Sequence, residues 1–170
     1  MANAFVEYDQ ILMLLSPVDI ASTVTNSAYL DLSTAHSCAF LVSFGAVTST
    51  TATDTMVITV NSVTAENAGT EEAMSFYYRL SSVNTANTWG AITSCDTTGV
   101  TIDPAADDNK MVWIEIDPAD IASQNDGAQW VNIRLTDTPD MEACLVSVHA
   151  FIRPRYKQTA FVSATASASA

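Results

Sequence analysis

The sequence predicts an all-β fold, an antiparallel β-sandwich or jelly roll of about eight strands. Three observations predict it. Large apolar residues recur at every second position through most of the chain, the spacing that gathers them on one face of a strand. The composition is rich in Ser, Thr, Ala and Val and nearly free of Lys, a bias toward strands. The connecting segments are dense in turn formers, and no alternation of strand and helix patterns points to a parallel sheet.

Taken in order, residues 1–16 form an apolar opening that reads either as an ordinary first strand or as a short N-terminal arm pairing with a neighbour. Its apolar stretch 11–15 is too short for a membrane span, and Glu7 and Asp9 beside it are unlike the basic start of a secretory leader. Residues 17–152 read as the sandwich domain. Phe40, Val42 and Phe44 share one face of a strand, as do Met56, Ile58 and Val60 of the next. Residues 110–116 are apolar on both faces until Glu115, as expected of a central strand, and Trp113 there reads as core. In 130–135, Val131, Ile133 and Leu135 point inward while Asn132 and Arg134 point to solvent. In 143–152, Cys144, Val146 and Val148 take one face and Leu145, His149 and Phe151 the other. Weaker strands are expected at 28–32, 74–80, 89–93 and 100–102. Of the adjacent Tyr77 and Tyr78, one must face away from the core, and an outward aromatic is a candidate interface anchor. Asp117-Pro118 looks like an N-cap followed by a first-turn proline, so a short helix is expected over 118–124. Residues 153–170 read as a basic segment followed by a flexible Ala/Ser-rich tail, which lacks the side chains needed to offset the entropy of ordering it.

Charge narrows the function. Nineteen acids face six bases, for a net charge of −13. Three of the bases, Arg153, Arg155 and Lys157, lie close together after Phe151, and every acid lies before it. An acidic body repels DNA and anionic lipid, so neither nucleic acid nor membrane is expected as a partner. The three cysteines, Cys38, Cys95 and Cys144, form no CxxC pair and no zinc spacing with His36 or His149. Cys38 and Cys144 lie in apolar runs and read as buried free thiols, as suits assembly in a reducing cytoplasm.

No catalytic motif accompanies these residues. There is no Gly-x-Ser-x-Gly elbow, no phosphate-binding glycine loop and no HExxH. Asp103, Asp107, Asp108 and Asn109 share one loop without EF-hand spacing and read as a solvated acidic turn. The expectation is a protein without enzymatic activity, cofactor or metal. A solvent-filled pocket gathering His, Cys and carboxylates would speak against it.

Three pieces of the chain carry a resemblance. The first is Ser16-Pro17-Val18-Asp19-Ile20-Ala21-Ser22 followed by Ala28-Tyr29-Leu30-Asp31-Leu32 and a strand ending Val42-Ser43-Phe44-Gly45-Ala46. The second is the middle of Thr- and Ala-rich strands with acidic loops. The third is the last strand running into Ile152-Arg153-Pro154-Arg155-Tyr156. In this order they resemble the small β-sandwich structural proteins of tailed bacteriophages. The resemblance implies a decoration (cement) protein in the virion. Such a protein binds the major capsid protein on the outside of the head, often as an oligomer, with a trimer as the guess by analogy. Many weak contacts would then add by avidity. The attachment elements expected are the arm (Phe5, Val6, Tyr8) by strand addition and the basic segment (Arg153, Arg155, Tyr156, Lys157) by charge pairing. Removing 151–170 is expected to weaken particle binding more than folding. The alternatives are a neck, tail or fibre component, or a carbohydrate-binding adhesive sandwich, which coplanar exposed aromatics would favour.

Overall fold

The computed structural model describes residues 9–20, 24–49, 54–66, 70–82, 88–138 and 141–156. Its elements are β1 (Gln10–Asp19), β2 (Val24–Asn26), β3 (Leu30–Asp31), β4 (Ala35–Ser49), β5 (Thr55–Val63), β6 (Glu72–Met74), β7 (Phe76–Leu80), β8 (Thr93–Cys95) and β9 (Val100–Ile102). The short helix α1 (Pro104–Asp107), β10 (Met111–Ile116), α2 (Pro118–Gln124), β11 (Trp130–Thr138) and β12 (Met141–Pro154) follow. The strands form two antiparallel sheets. Sheet A runs β1-β12-β4-β10-β7-β8, and sheet B runs β2-β11-β5-β6 with β3 beside β11 and β9 beside β5.

The described residues therefore hold twelve strands, not about eight. Eight of them take the order of a jelly roll, with β1, β12, β4 and β7 in one sheet and β2, β11, β5 and β6 in the other, except that β10 is inserted between β4 and β7. The additional four are β3, β8, β9 and β10. Three of these are only two or three residues long, too short to show a period. The single strand expected over 74–80 is two strands in different sheets. The chain crosses between sheets at Ser75, whose N–H donates to Gln124 Oε1 at 2.7 Å. Gln124 lies at the end of α2, which starts as the sequence predicts: Asp117 Oδ1 accepts from the Ala119 N–H at 2.9 Å and Pro118 occupies the first turn. The strand expected at 89–93 is displaced to β8. Trp89 makes only an isolated bridge to Ser81, and Ile92 has no core to alternate against, being 58% exposed.

Between the sheets the alternation works as written. Phe40, Val42, Ile114 and Val148 from sheet A meet Met56, Ile58, Ile133 and Leu135 from sheet B, all fully enclosed. Each such side chain contributes roughly 1.5–3 kcal/mol by leaving water. Cys38 and Cys144 are buried free thiols in this layer. Three side chains depart from their expected faces or environments. Asn132 faces outward on sheet B yet is wholly buried, because Glu71 closes over it and accepts from its Nδ2 at 3.0 Å. Trp113 lies on the outer face of sheet A, half-buried, since Val112 and Ile114 take the inner positions. Asp107 is buried in a helical turn rather than solvated, paired with Lys110 Nζ at 2.8 Å. The neighbouring Asp108 accepts from the Val47 N–H at 2.7 Å and ties that turn to β4.

Candidate functional site on the outer face of sheet A

An outer sheet face that meets water is normally polar. Here the register lines up two adjacent rows of mostly apolar side chains. One runs Met13, His149, Leu41, Trp113, Arg79 across five strands. The next runs Ile11, Phe151, Ala39, Glu115, Tyr77, Ser94 across all six. Ile11, Met13 and Tyr77 are more than half exposed, and Leu145 and Ile92 extend the apolar surface. Trp113 packs at 5.1 Å from Phe151 and at 6.5 Å from Trp89, and its Nε1–H donates to Glu115 Oε1 at 2.7 Å. The bonded indole and its aromatic contacts hold the ring in place, so the centre of the face is preorganised rather than mobile.

Two open clefts border the rows and meet at Ser37, Glu115 and Ile116. The smaller, about 320 Å³, lies between Asp9, Trp113, Phe151 and Arg153. The larger, about 580 Å³, is lined by His36, Cys95, Glu115, Asp117 and Asp120 among others. These are the residue types that would speak for catalysis, so their environments matter. Burial, with the charge of Asp96, pushes the Cys95 thiol up, away from a reactive thiolate. Asp117 is engaged as the cap of α2, and Glu115 holds the Trp113 indole. Among the described residues, no three or more His, Cys, Asp and Glu are grouped to hold a metal ion. The cleft offers hydrogen bonds and negative charge, and its thiol is held away from the thiolate.

The residues expected to bind a partner fall into two groups. Phe5, Val6, Tyr8 and Lys157 lie outside the described residues. Arg153, Arg155 and Tyr156 lie where β12 leaves the sheet. Arg153 forks onto Asp9 through Nε at 2.8 Å and Nη2 at 3.0 Å, and the Asp9 carboxylate is almost wholly covered. This pair fastens the entry of β1 to the exit of β12, so Arg153 is already neutralised within the chain. Arg155 donates from Nε to the Ala35 carbonyl at 2.8 Å and from its backbone N–H to Thr34 at 2.9 Å. Tyr156 is 75% exposed and projects beyond the sheet. The basic segment is thus partly a structural seam, and the two sheet A rows, assembled from six strands, are the larger exposed feature.

On sheet B, Glu71 collects four donors: Tyr29 Oη, Asn132 Nδ2, Asn61 Nδ2 at 3.4 Å and Arg134 Nη1 at 3.4 Å. Burial first, then the bond to Glu71 and its charge, pushes the Tyr29 phenol up to about 12. Nothing in the spacing of these five residues announces the hub; only the pairing of β5 with β11 brings Asn61 beside Asn132. The sheet A rows did leave a trace, in runs apolar on both faces at 111–116 and 143–152. No family model matches the chain, and no curated protein matches it.

Proposed function

We propose that this protein is a virion structural component that decorates the outside of a phage head and works by surface contact rather than by catalysis. The observation that carries the reading is the pair of apolar rows on the outer face of sheet A, in a chain whose net charge is −13. An acidic protein with one exposed aromatic and aliphatic face discourages non-specific association while offering one surface for a specific neighbour. The jelly roll adds a fold-level analogy, since that architecture recurs in viral shells, although it recurs in lectins too. Ring geometry disfavours the sugar-binding alternative. Trp89 and Trp113 stand at 70° and Trp113 and Phe151 at 41°, so the aromatics do not form a flat platform. The test is quantitative mass spectrometry with cryo-EM on particles of a phage that encodes the chain. Hundreds of copies spread over the shell are expected. Six or twelve copies would move the protein to the neck or tail, and none would end the virion reading.

A further inference from the structure

We propose that the β7–β10 part of this face is a self-complementary patch through which two copies of the chain pair about a two-fold axis. The proposal rests on sheet A being a contact face, as above, and is independent of which shell, if any, the protein binds.

Four side chains carry it. Tyr77 and Arg79 leave β7 on the outer side, and Glu115 and Trp113 lie opposite them on β10. Together with Ile92 they line one shallow depression. The four mark the corners of a rectangle, about 6.8 Å along the strands and about 4.8 Å across them. One diagonal joins the opposite charges Arg79 and Glu115, and the other joins the aromatics Tyr77 and Trp113.

A two-fold axis in the plane of the face, close to the aromatic diagonal, has a specific consequence. It sets Arg79 of each copy against the second copy's Glu115, so two ion pairs form at once. It also sets each aromatic against its own counterpart. An isologous interface requires this reciprocity, in which residue i meets j and j meets i. The rectangle's proportions make the two sheets cross at roughly 70°, near the orthogonal class of sheet packing.

The charge state of the patch supports the choice of occupant. Of the described bases, Lys110, Arg134 and Arg153 have carboxylate partners within the chain. Arg155 is spent on a backbone carbonyl. Among the described residues, Arg79 makes no ion pair or side-chain hydrogen bond, in a chain with nineteen acids to six bases. A half-exposed guanidinium with no carboxylate partner in its own chain is available to one from outside, and the second copy supplies Glu115 at the symmetry-related place. A face six strands wide spans about 25 Å, and two such faces crossed share a footprint on the order of 600 Å² per copy. That is at the low end of stable interfaces, so a dissociation constant in the micromolar range is expected.

The test is sedimentation equilibrium of the full chain from about 1 to about 300 μM, a span that brackets such a constant. A monomer–dimer equilibrium is expected. R79E sets carboxylate against carboxylate and should weaken pairing at least about tenfold, and the swap R79E/E115R should recover most of the loss. Melting curves check that each variant is folded. Should R79E fold poorly, R79Q takes its place, with a smaller loss in the same direction. A monomer throughout, a trimer, a dimer indifferent to R79E, or a swap that recovers nothing would overturn the proposal. A dimer that is absent from virions would instead leave the pairing intact and sink the decoration reading.

Discussion

Replacing Glu71 by Ala tests the hub on sheet B. The substitution removes one carboxylate that serves four donors. Asn132 has no exposed surface, and its own Oδ1 already lacks a partner, so losing the acceptor strands the whole amide. A buried donor left unmade costs about 1–3 kcal/mol. Asn61, 4% exposed and bonded at 3.4 Å, should add less, about 1 kcal/mol by the same reasoning. The Arg134 pair is discounted, because that side chain is 41% exposed and water screens it. The two amides alone amount to a loss of about 3 kcal/mol, or a fall of about 6–12 °C in melting temperature for a chain of this size, and the Tyr29 bond can only add to it. Calorimetry and denaturant titration followed by tryptophan fluorescence measure it. Glu71→Gln keeps one carbonyl acceptor and should cost about half as much. If Glu71→Ala melts within about 0.5 kcal/mol of the parent chain, these bonds are no better than bonds to water and the reasoning fails.

Four further outcomes follow from the fold. Ending the chain after Ala150 should unfold the body, where the sequence alone predicts a loss of particle binding more than of folding. The cut removes the end of β12, with buried Ile152 and the Arg153–Asp9 pair, so intact folding after it would refute the placement of that strand. A thiol reagent at neutral pH should label Cys95 well ahead of the other two cysteines. Burial pushes Cys38 up, and burial together with Asp19, Asp137 and Asp108 pushes Cys144 up to about 12 from 9.0; rapid labelling of all three would contradict this. Because these thiols and the Tyr29 phenol are raised in the folded state, their contribution to stability is complete below their ordinary values. It should be lost as the pH rises from 9.0 toward about 12, where the unfolded chain ionises first. Gly99→Ala should destabilise by more than about 2 kcal/mol in a denaturant titration. Gly99 has φ +86°, and an added Cβ would meet the Ile58 carbonyl oxygen at 2.5 Å.

The core was legible because a period of two needs no knowledge of partners. Phe40, Ile58 and Ile133 face inward for reasons visible in their immediate neighbours. The helix at 118–124 was legible for the same reason, since its cap and its proline adjoin. What stayed hidden depends on residues far apart in the chain. Asn132 looks solvent-facing until Glu71, more than sixty residues earlier, is laid over it. Trp113 reads as core because an aromatic in an apolar run does not declare its side, and only pairing with β4 and β7 puts it outside. Arg153 reads as free positive charge until β1 brings Asp9 beside it. The rows on sheet A have the same origin: they are assembled from six strands, and no local window contains them.

The placement of β12 bears on how the protein is made. It is the last described strand to be synthesised, yet it lies between β1 and β4, which emerge long before it. Until residues 141–154 have left the ribosome, β1 has no neighbour in its sheet and the inner edge of β4 stands open. The nascent chain must hold Leu14 and Phe40, both buried in the finished fold, unshielded through that interval. Such exposed strands invite pairing with other nascent chains. The breaks in register along β1, at Met13/Leu15 and Leu15/Val18, and Pro17 within it make the waiting strand a poor template for that error.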